Sequence, residues 1–460
     1  MNERITSNPL GTEPVQKLLR QFAVPSIIAM LVSALYNIVD QFFIGRSVGE
    51  LGNAATNISF PLSISCIAIA LLFGIGGASA FNLTMGRGEK DDAVYFAGNA
   101  SVMLFGCGVL LCIFTQLFLD PMLKAFGTPA GVMGYARTYT RITAFGFPFL
   151  ILTAGGGHLI RADGNPKFSM VCNLTGAVIN TILDALFVFG FKWGMAGAAA
   201  ATIIGQIISG FMTFHYLCHF RTAAIHREHL KIRGRYIGRI ASLGAAPCSN
   251  QLAMMIVQIV MNKSLTHYGA LSVYGEAIPL ACAGIIIKVN QVFFSFVIGI
   301  SQGLQPIVSF NYGASRFARV KEAYRKAIFS GFLISLAAFL MFQLLPRQII
   351  SLFGSGSEEY FRFAESYFRV FLLFTFLNFL QPITSNFFTA IGKPMKGIFL
   401  SLTRQILFLL PFIIILPLFI GIDGILYAGP IADLTAALIS ALMIVRELKI
   451  SHYHINTCEY

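Results

Sequence analysis

The chain is 460 residues long, 56% apolar, 13% aromatic and only 12% charged, with a mean hydropathy of +0.73, whereas a soluble domain carries about 25% charged residues. That excludes a soluble enzyme, a secreted scaffold and a nucleic-acid binder. The formal net charge of +13 reads as basic loops on one side of a bilayer, not as a polyanion site.

In chain order, residues 1–20 contain no apolar core and do not read as a cleaved signal peptide. Twelve apolar runs follow, near 18–45, 51–85, 92–118, 130–157, 167–190, 194–218, 237–264, 274–306, 320–344, 358–388, 396–418 and 424–446. Each is long enough to cross a hydrocarbon layer of about 30 Å as a helix. Runs this long and continuous suit helices, not the short alternating strands of a barrel. The eight cysteines, Cys66, Cys107, Cys112, Cys172, Cys218, Cys248, Cys282 and Cys458, stand singly and read as small core residues.

The segments on the side of the N-terminus hold 22 of the 33 Lys and Arg, the opposite loops hold 9, and Lys288 and Arg404 fall inside runs. By the positive-inside rule both termini are cytoplasmic. The longest polar connection, 220–236, divides the chain into a tail (1–16), an N-terminal lobe (17–219), a C-terminal lobe (237–447) and a second tail (448–460).

The halves repeat. Ala162-Asp163-Gly164-Asn165-Pro166 matches Ala390-Ile391-Gly392-Lys393-Pro394 at an offset of 228, and Gly194-Met195-Ala196-Gly197 matches Gly421-Ile422-Asp423-Gly424 at 227. Pro25 is echoed by Pro247 and Gly74-Ile75 by Gly299-Ile300. Six runs per half make the repeat parallel, so the expected fold is all-α and polytopic, two six-helix lobes related by a pseudo-two-fold axis along the membrane normal. A cleft between such lobes suits alternating access.

Charged residues inside spans are costly, so each is a candidate for function. Asp40 and Asp184 lie at about the same depth, roughly 7–9 Å below the far ends of their runs. Asn37 and Asn180 share their respective faces, and the sixth run brings Thr202 and Gln206 inward. Two carboxylates with amide and hydroxyl oxygens can ligate Na⁺, here at Asp40, Asn180, Asp184 and Thr202, or hold a proton between them. The C-terminal half carries Lys288, Arg404 and Asp433, with Glu276 near the start of its second run. Lys288 and Asp433, both at mid-depth, are expected to pair. Asn378, Gln381, Thr384, Ser385 and Asn386 in the tenth run are candidates to line a wet cavity, as are Tyr36 and Gln206 in the first half. Pro25 can bend the first helix as a hinge or as a fixed kink. His158 and His215 have no partner at catalytic or metal-ligand spacing, and no hydrolase, zinc-protease or nucleotide-loop motif occurs, so the chain is not expected to be an enzyme or to hold a cofactor.

On these residues the sequence resembles the multidrug and toxic compound extrusion (MATE) family, its MepA-like and DinF-like members in particular. The resemblance spans about residues 15–450 and rests on the duplicated twelve-run layout, Pro25, Asp40, Asn180, Asp184, Thr202 and the repeated Ala-x-Gly-x-Pro. It implies a monomeric antiporter of the bacterial cytoplasmic membrane that expels small amphipathic, often cationic compounds in exchange for H⁺ or Na⁺. It also implies that the N-lobe acids form the cation site and that bending at Pro25 takes part in coupling. Lys288, and a tenth run without a central carboxylate, depart from branches of the family that use acids in the second lobe. The competing expectation is a flippase of lipid-linked precursors, which would need several arginines in its cavity.

Overall fold

Within lipid every backbone N–H needs a partner in its own segment, and the apolar runs accordingly become long helices. The computed structural model describes residues 8–222, 224–275, 277–352 and 357–457, with side chains except at 50, 277 and 450–457. Glu276 and Cys458 fall outside that description, as do residues 1–7 of the first tail and 458–460 of the second.

The helices are α1 Val15–Val48, α2 Glu50–Gly86, α3 Lys90–Leu117, then α4 as two pieces, Ala130–Ala144 and Phe147–Ala162. After these come α5 Pro166–Asp184 with its continuation Ala185–Gly190, and α6 Gly194–Cys218. The second half has α7 Gly234–Ala270, α8 Ala277–Gly313 and α9 Phe317–Leu344, then α10 running from Glu358 to Ala390 with breaks. Next are α11, from Pro394 to Ile420, and α12 Ile422–Thr457. Eleven of these spans are long and apolar enough to cross a membrane outright, and α4 makes the twelfth if its pieces, bent by 56°, count as one. No strand occurs among the described residues.

The repeat is written in the backbone. Positive φ angles occur at Gly49 and Gly275, Gly164 and Gly392, Gly194 and Gly421, and at Gly88 and Ser315, each pair at nearly the offset of the sequence matches. Only the last pair replaces glycine, at a φ of 58° that a side chain seldom adopts. Short helices Leu119–Ala125 and Pro346–Ser351 are also equivalent, as are the breaks in α4 and α10. Widened turns also interrupt α5 (Ala185–Gly190) and α11 (Thr403–Leu409), but at an offset of 218, so the turn in α11 comes about nine residues earlier than its counterpart in α5. The breaks within α4, α5, α10 and α11 are not visible as gaps in hydropathy, because each lies inside an apolar run.

The halves meet through glycines. A Cβ at Gly303 would lie 2.5 Å from the Ala23 nitrogen, and one at Gly299 would lie 2.7 Å from the Ile27 Cα, so α8 rides directly on α1. Gly76 abuts the Ile240 carbonyl, Gly244 the Leu72 carbonyl, and Gly86 and Gly313 close α2 on α8. All of these approaches lie in the half of the bundle that carries the start of α1, here termed the termini side. Gln305 adds a polar tie there, donating to Ile75 O (3.1 Å) and Ser79 Oγ (2.8 Å) of α2.

Helix α1 is shared between the halves. Its base (Val15, Leu18, Leu19, Phe22, Ala23) packs in the core of α7–α12, whereas Ile44 near its top packs with Ala55, Val132, Val188 and Ala198 of the first half. A short helix, Pro9–Thr12, straps that base down: Asn311 Nδ2 and Arg319 Nη2 donate to Leu10 O, Arg319 also reaches Glu13 O, and Arg316 reaches Gly11 O. The connection after α6 is clamped on the first half. Asp163 accepts from Tyr216 Oη, Arg221 N and Thr222 N at 2.8–2.9 Å, and Asn99 bonds His229 O, Lys231 O and Arg233 N.

Candidate functional site

The polar centre of the first half lies between α1, α5 and α6. Gly176 and Gly205 let α5 and α6 approach so closely that a Cβ at Gly205 would sit 2.6 Å from Gly176 O. That approach brings Asn180 Nδ2 within 3.2 Å of Thr202 Oγ1, whose own hydrogen goes to Ala198 O at 3.0 Å. Asp184, one turn beyond Asn180, ends the regular part of α5, and the widened turn follows immediately. Such a turn inserts a residue and re-aims its neighbours. The carboxyl groups of Asp184 and Asp40 meet side by side, Tyr36 of α1 stands at Thr202, and Tyr139 of α4 stands beside the pair. Tyr139 carries no charge in its run and was not singled out from sequence.

The site is enclosed and under-satisfied. Asp184 is 0% exposed, Asn180 2%, Thr202 5% and Asp40 8%. Asp40 Oδ1, Asn180 Oδ1 and both oxygens of Asp184 are buried without a hydrogen-bond partner, and no Lys, Arg or His lies within 4.0 Å of either carboxylate among the described residues. Buried acceptors left open in this way cost free energy unless a proton or cation fills them.

The remaining candidates separate. Asn37, expected on the Asp40 face, is exposed and donates to Ser33 O at 2.9 Å, because a spacing of three turns it about 60° away. Gln206 packs its Oε1 against Gly146 at the bend of α4. Pro25 is buried in the stretch of α1 gripped by α8, between Ala23 and Ile27. In the second half the expected Lys288–Asp433 pair does not form. Asp433 instead accepts from Arg404 Nε at 2.6 Å and Asn378 Nδ2 at 2.9 Å. The α10 polar side chains, expected as candidates to line a wet cavity, cross-link helices. Gln381 donates to Leu400 O, Ser385 to Gly397 O and Asn386 to Ser301 O, while Thr384 meets Tyr324. His158 is buried near Gln305 at the seam between halves, and His215 lies against His219 with the rings tilted by 38°.

The MatE profile matches residues 25–186 and 248–415, which takes in α1, Asp40, Asn180 and Asp184 in one segment and α8 to α11 in the other. The chain belongs to the MatE family. As a MATE transporter it is similar to the multidrug export protein MepA of Staphylococcus aureus, 22% identical over 437 residues that cover 95% of this chain and 94% of that protein. MepA of Staphylococcus haemolyticus is 24% identical over 434 residues, 94% of each chain. Among solved structures, one described as the outward-facing conformation of a multidrug resistance MATE transporter of the MOP superfamily superposes with a TM-score of 0.89. It does so at 21% identity, covering 98% of this chain and 99% of that one.

Proposed function

We propose that this MATE transporter is a secondary antiporter of a bacterial cytoplasmic membrane. It expels small amphipathic compounds, cations among them, in exchange for H⁺ or Na⁺, with both termini in the cytoplasm and two lobes alternating access to a cleft. The multidrug export role of the MepA relatives supports this reading, as does the placement of 22 of 33 Lys and Arg on the termini side.

The observation that carries it is the set of unpartnered buried oxygens on Asp40, Asn180 and Asp184. Oxygen ligands alone satisfy a hard cation, and two crowded carboxylates can instead retain a proton. The residues therefore fit either ion. Helix α1 carries Asp40 at one end and is packed into the other lobe at its base, so a change of charge at Asp40 acts on the element that joins the lobes. Pro25, inside the stretch of α1 held by α8 between Ala23 and Ile27, interrupts the hydrogen-bond ladder and gives α1 a place to bend where it leaves that contact. One charge moving down 100 mV releases about 2.3 kcal/mol, enough to bias a two-state rearrangement. A carrier of lipid-linked pyrophosphates would need free arginines in its cleft, and Arg404 is already engaged by Asp433.

The test is efflux of a fluorescent cation from inverted vesicles under a pH gradient or a Na⁺ gradient imposed separately. Asp40→Asn and Asp184→Asn should each abolish gradient-driven efflux while the protein still inserts and folds. Parental rates in both variants would overturn the assignment.

A further inference from the structure

Lys288 lies eleven residues before Gly299 on α8. Eleven residues complete about three turns with an error of about 20°, so Lys288 stands on the stripe by which α8 meets α1, about 16 Å beyond that contact. The opposite stripe, Cys282, Ile286, Phe293 and Val297, is buried in the core of the second half. Lys288 is half-buried, and among the described residues no carboxylate oxygen lies within 4.0 Å of it.

The acids at comparable depth are placed elsewhere. Asp433 is held by Arg404 and Asn378. Asp40 is thirteen residues from Ile27, the residue touching Gly299, and so points about 140° away from α8, into the space between α5 and α6. A second observation lies on the same lobe, toward the end remote from the termini. There a shallow, open depression is lined by Asn262, Lys263, Thr266, His267, Ala270 and Leu280, about 12 Å along α8 from Lys288, and it carries a lysine and no acid. An ammonium at mid-depth is costly unless it is hydrated or meets an anion.

We propose that Lys288 is an anion-binding subsite of the transport cleft, where its ammonium holds the carboxylate end of a zwitterionic amphipathic cargo. The proposal rests on the export reading above. A lysine suits such a role in a permissive cavity, because it is a point charge on a flexible stem and imposes no fixed bidentate geometry.

Rhodamine B, which has a free carboxylate, and its ethyl ester, a cation of nearly the same shape, test it in proteoliposomes of the full chain. The parent should export both. Lys288→Met should lower the ratio of acid to ester export by about tenfold, the loss expected for one charged hydrogen bond, and Lys288→Arg should hold the ratio near the parental value. An unchanged ratio in Lys288→Met, or a parent that exports the ester and not the acid, overturns the subsite while leaving export intact. A parent that exports neither dye overturns the export reading and the subsite with it. Should Lys288→Met not fold, the Kd values of the parent for the two dyes by fluorescence anisotropy decide: tighter binding of the acid supports the subsite, and equal values overturn it.

Discussion

Gly244→Ala probes whether the seam between α2 and α7 sets the balance of conformations. A Cβ at Gly244 would lie 2.5 Å from the Leu72 carbonyl carbon and nearer still to its oxygen, where 3.4 Å is the lower edge of ordinary contact. The obstructing atoms are backbone, so no rotamer change relieves the clash, and the helices must part by at least about 1 Å at this point. Overpacking of this kind costs about 1–3 kcal/mol. The gain in helix propensity from Gly to Ala, about 1 kcal/mol, is common to every arrangement of the lobes and cancels from their ratio. The full penalty therefore falls on the arrangement in which α2 and α7 touch, shifting the equilibrium about 5- to 150-fold toward opening on the termini side. The exposed positions Lys90 on α3 and Lys321 on α9, replaced by cysteine in a chain otherwise free of it, carry spin labels for a distance measurement across that side. The parent should give a short-distance population and Gly244→Ala a growing longer one. Gly238→Ala, with no atom within 4 Å of its new methyl, serves as the control. A distance distribution unchanged by Gly244→Ala would show that the seam does not govern the state.

Removing one partner of a buried ion pair leaves an uncompensated charge, so Arg404→Ala should destabilise by about 3–5 kcal/mol, read as a lower Tm. Lys288→Ala strands no carboxylate and should have a far smaller effect, and equal losses would refute the Arg404–Asp433 assignment. Arg319→Ala removes bonds to Leu10 O, Glu13 O and Asn311 Oδ1 and should cost about 1–3 kcal/mol, with faster proteolytic nicking near residue 12. Leu230→Cys, on the exposed part of the connection after α6, in a chain otherwise free of cysteine, should react with an impermeant thiol reagent in inverted vesicles and not in intact cells. The opposite pattern would reverse the topology.

Which features were legible in the sequence follows from what each depends on. Lipid forces a continuous apolar run wherever a helix crosses, so the spans could be read directly. A turn needing positive φ selects glycine, so Gly164 with Gly392 and Gly194 with Gly421 announced the repeat. The Gly88–Ser315 equivalence stayed hidden because serine holds one of its positions. Asp40 and Asp184 were legible because depth is counted along the chain. Rotation about the helix axis is not, since it is set by packing. Asn37 and Asp40 are three residues apart, yet one is exposed and the other buried.

The same distinction decides the second half. Lys288 lies at the depth of Asp433, each eleven residues from the end of its helix remote from the termini, whereas Arg404 lies sixteen residues from that end of α11. Depth alone would favour Lys288, and azimuth decides that Arg404 reaches Asp433 instead. The close approach of α8 to α1 through Gly299 and Gly303 fixes that azimuth for α8. With Lys288 turned to the cleft, Arg404 takes Asp433, and the two lobes, duplicated in their turns and breaks, carry opposite chemistry. One encloses acids without a partner, and the other neutralises its acid internally while offering an ammonium outward. A duplication that preserves backbone punctuation constrains where helices bend, but it places no constraint on which face of an equivalent helix carries charge. The same scaffold can thus hold a coupling ion in one lobe and meet the cargo with the other.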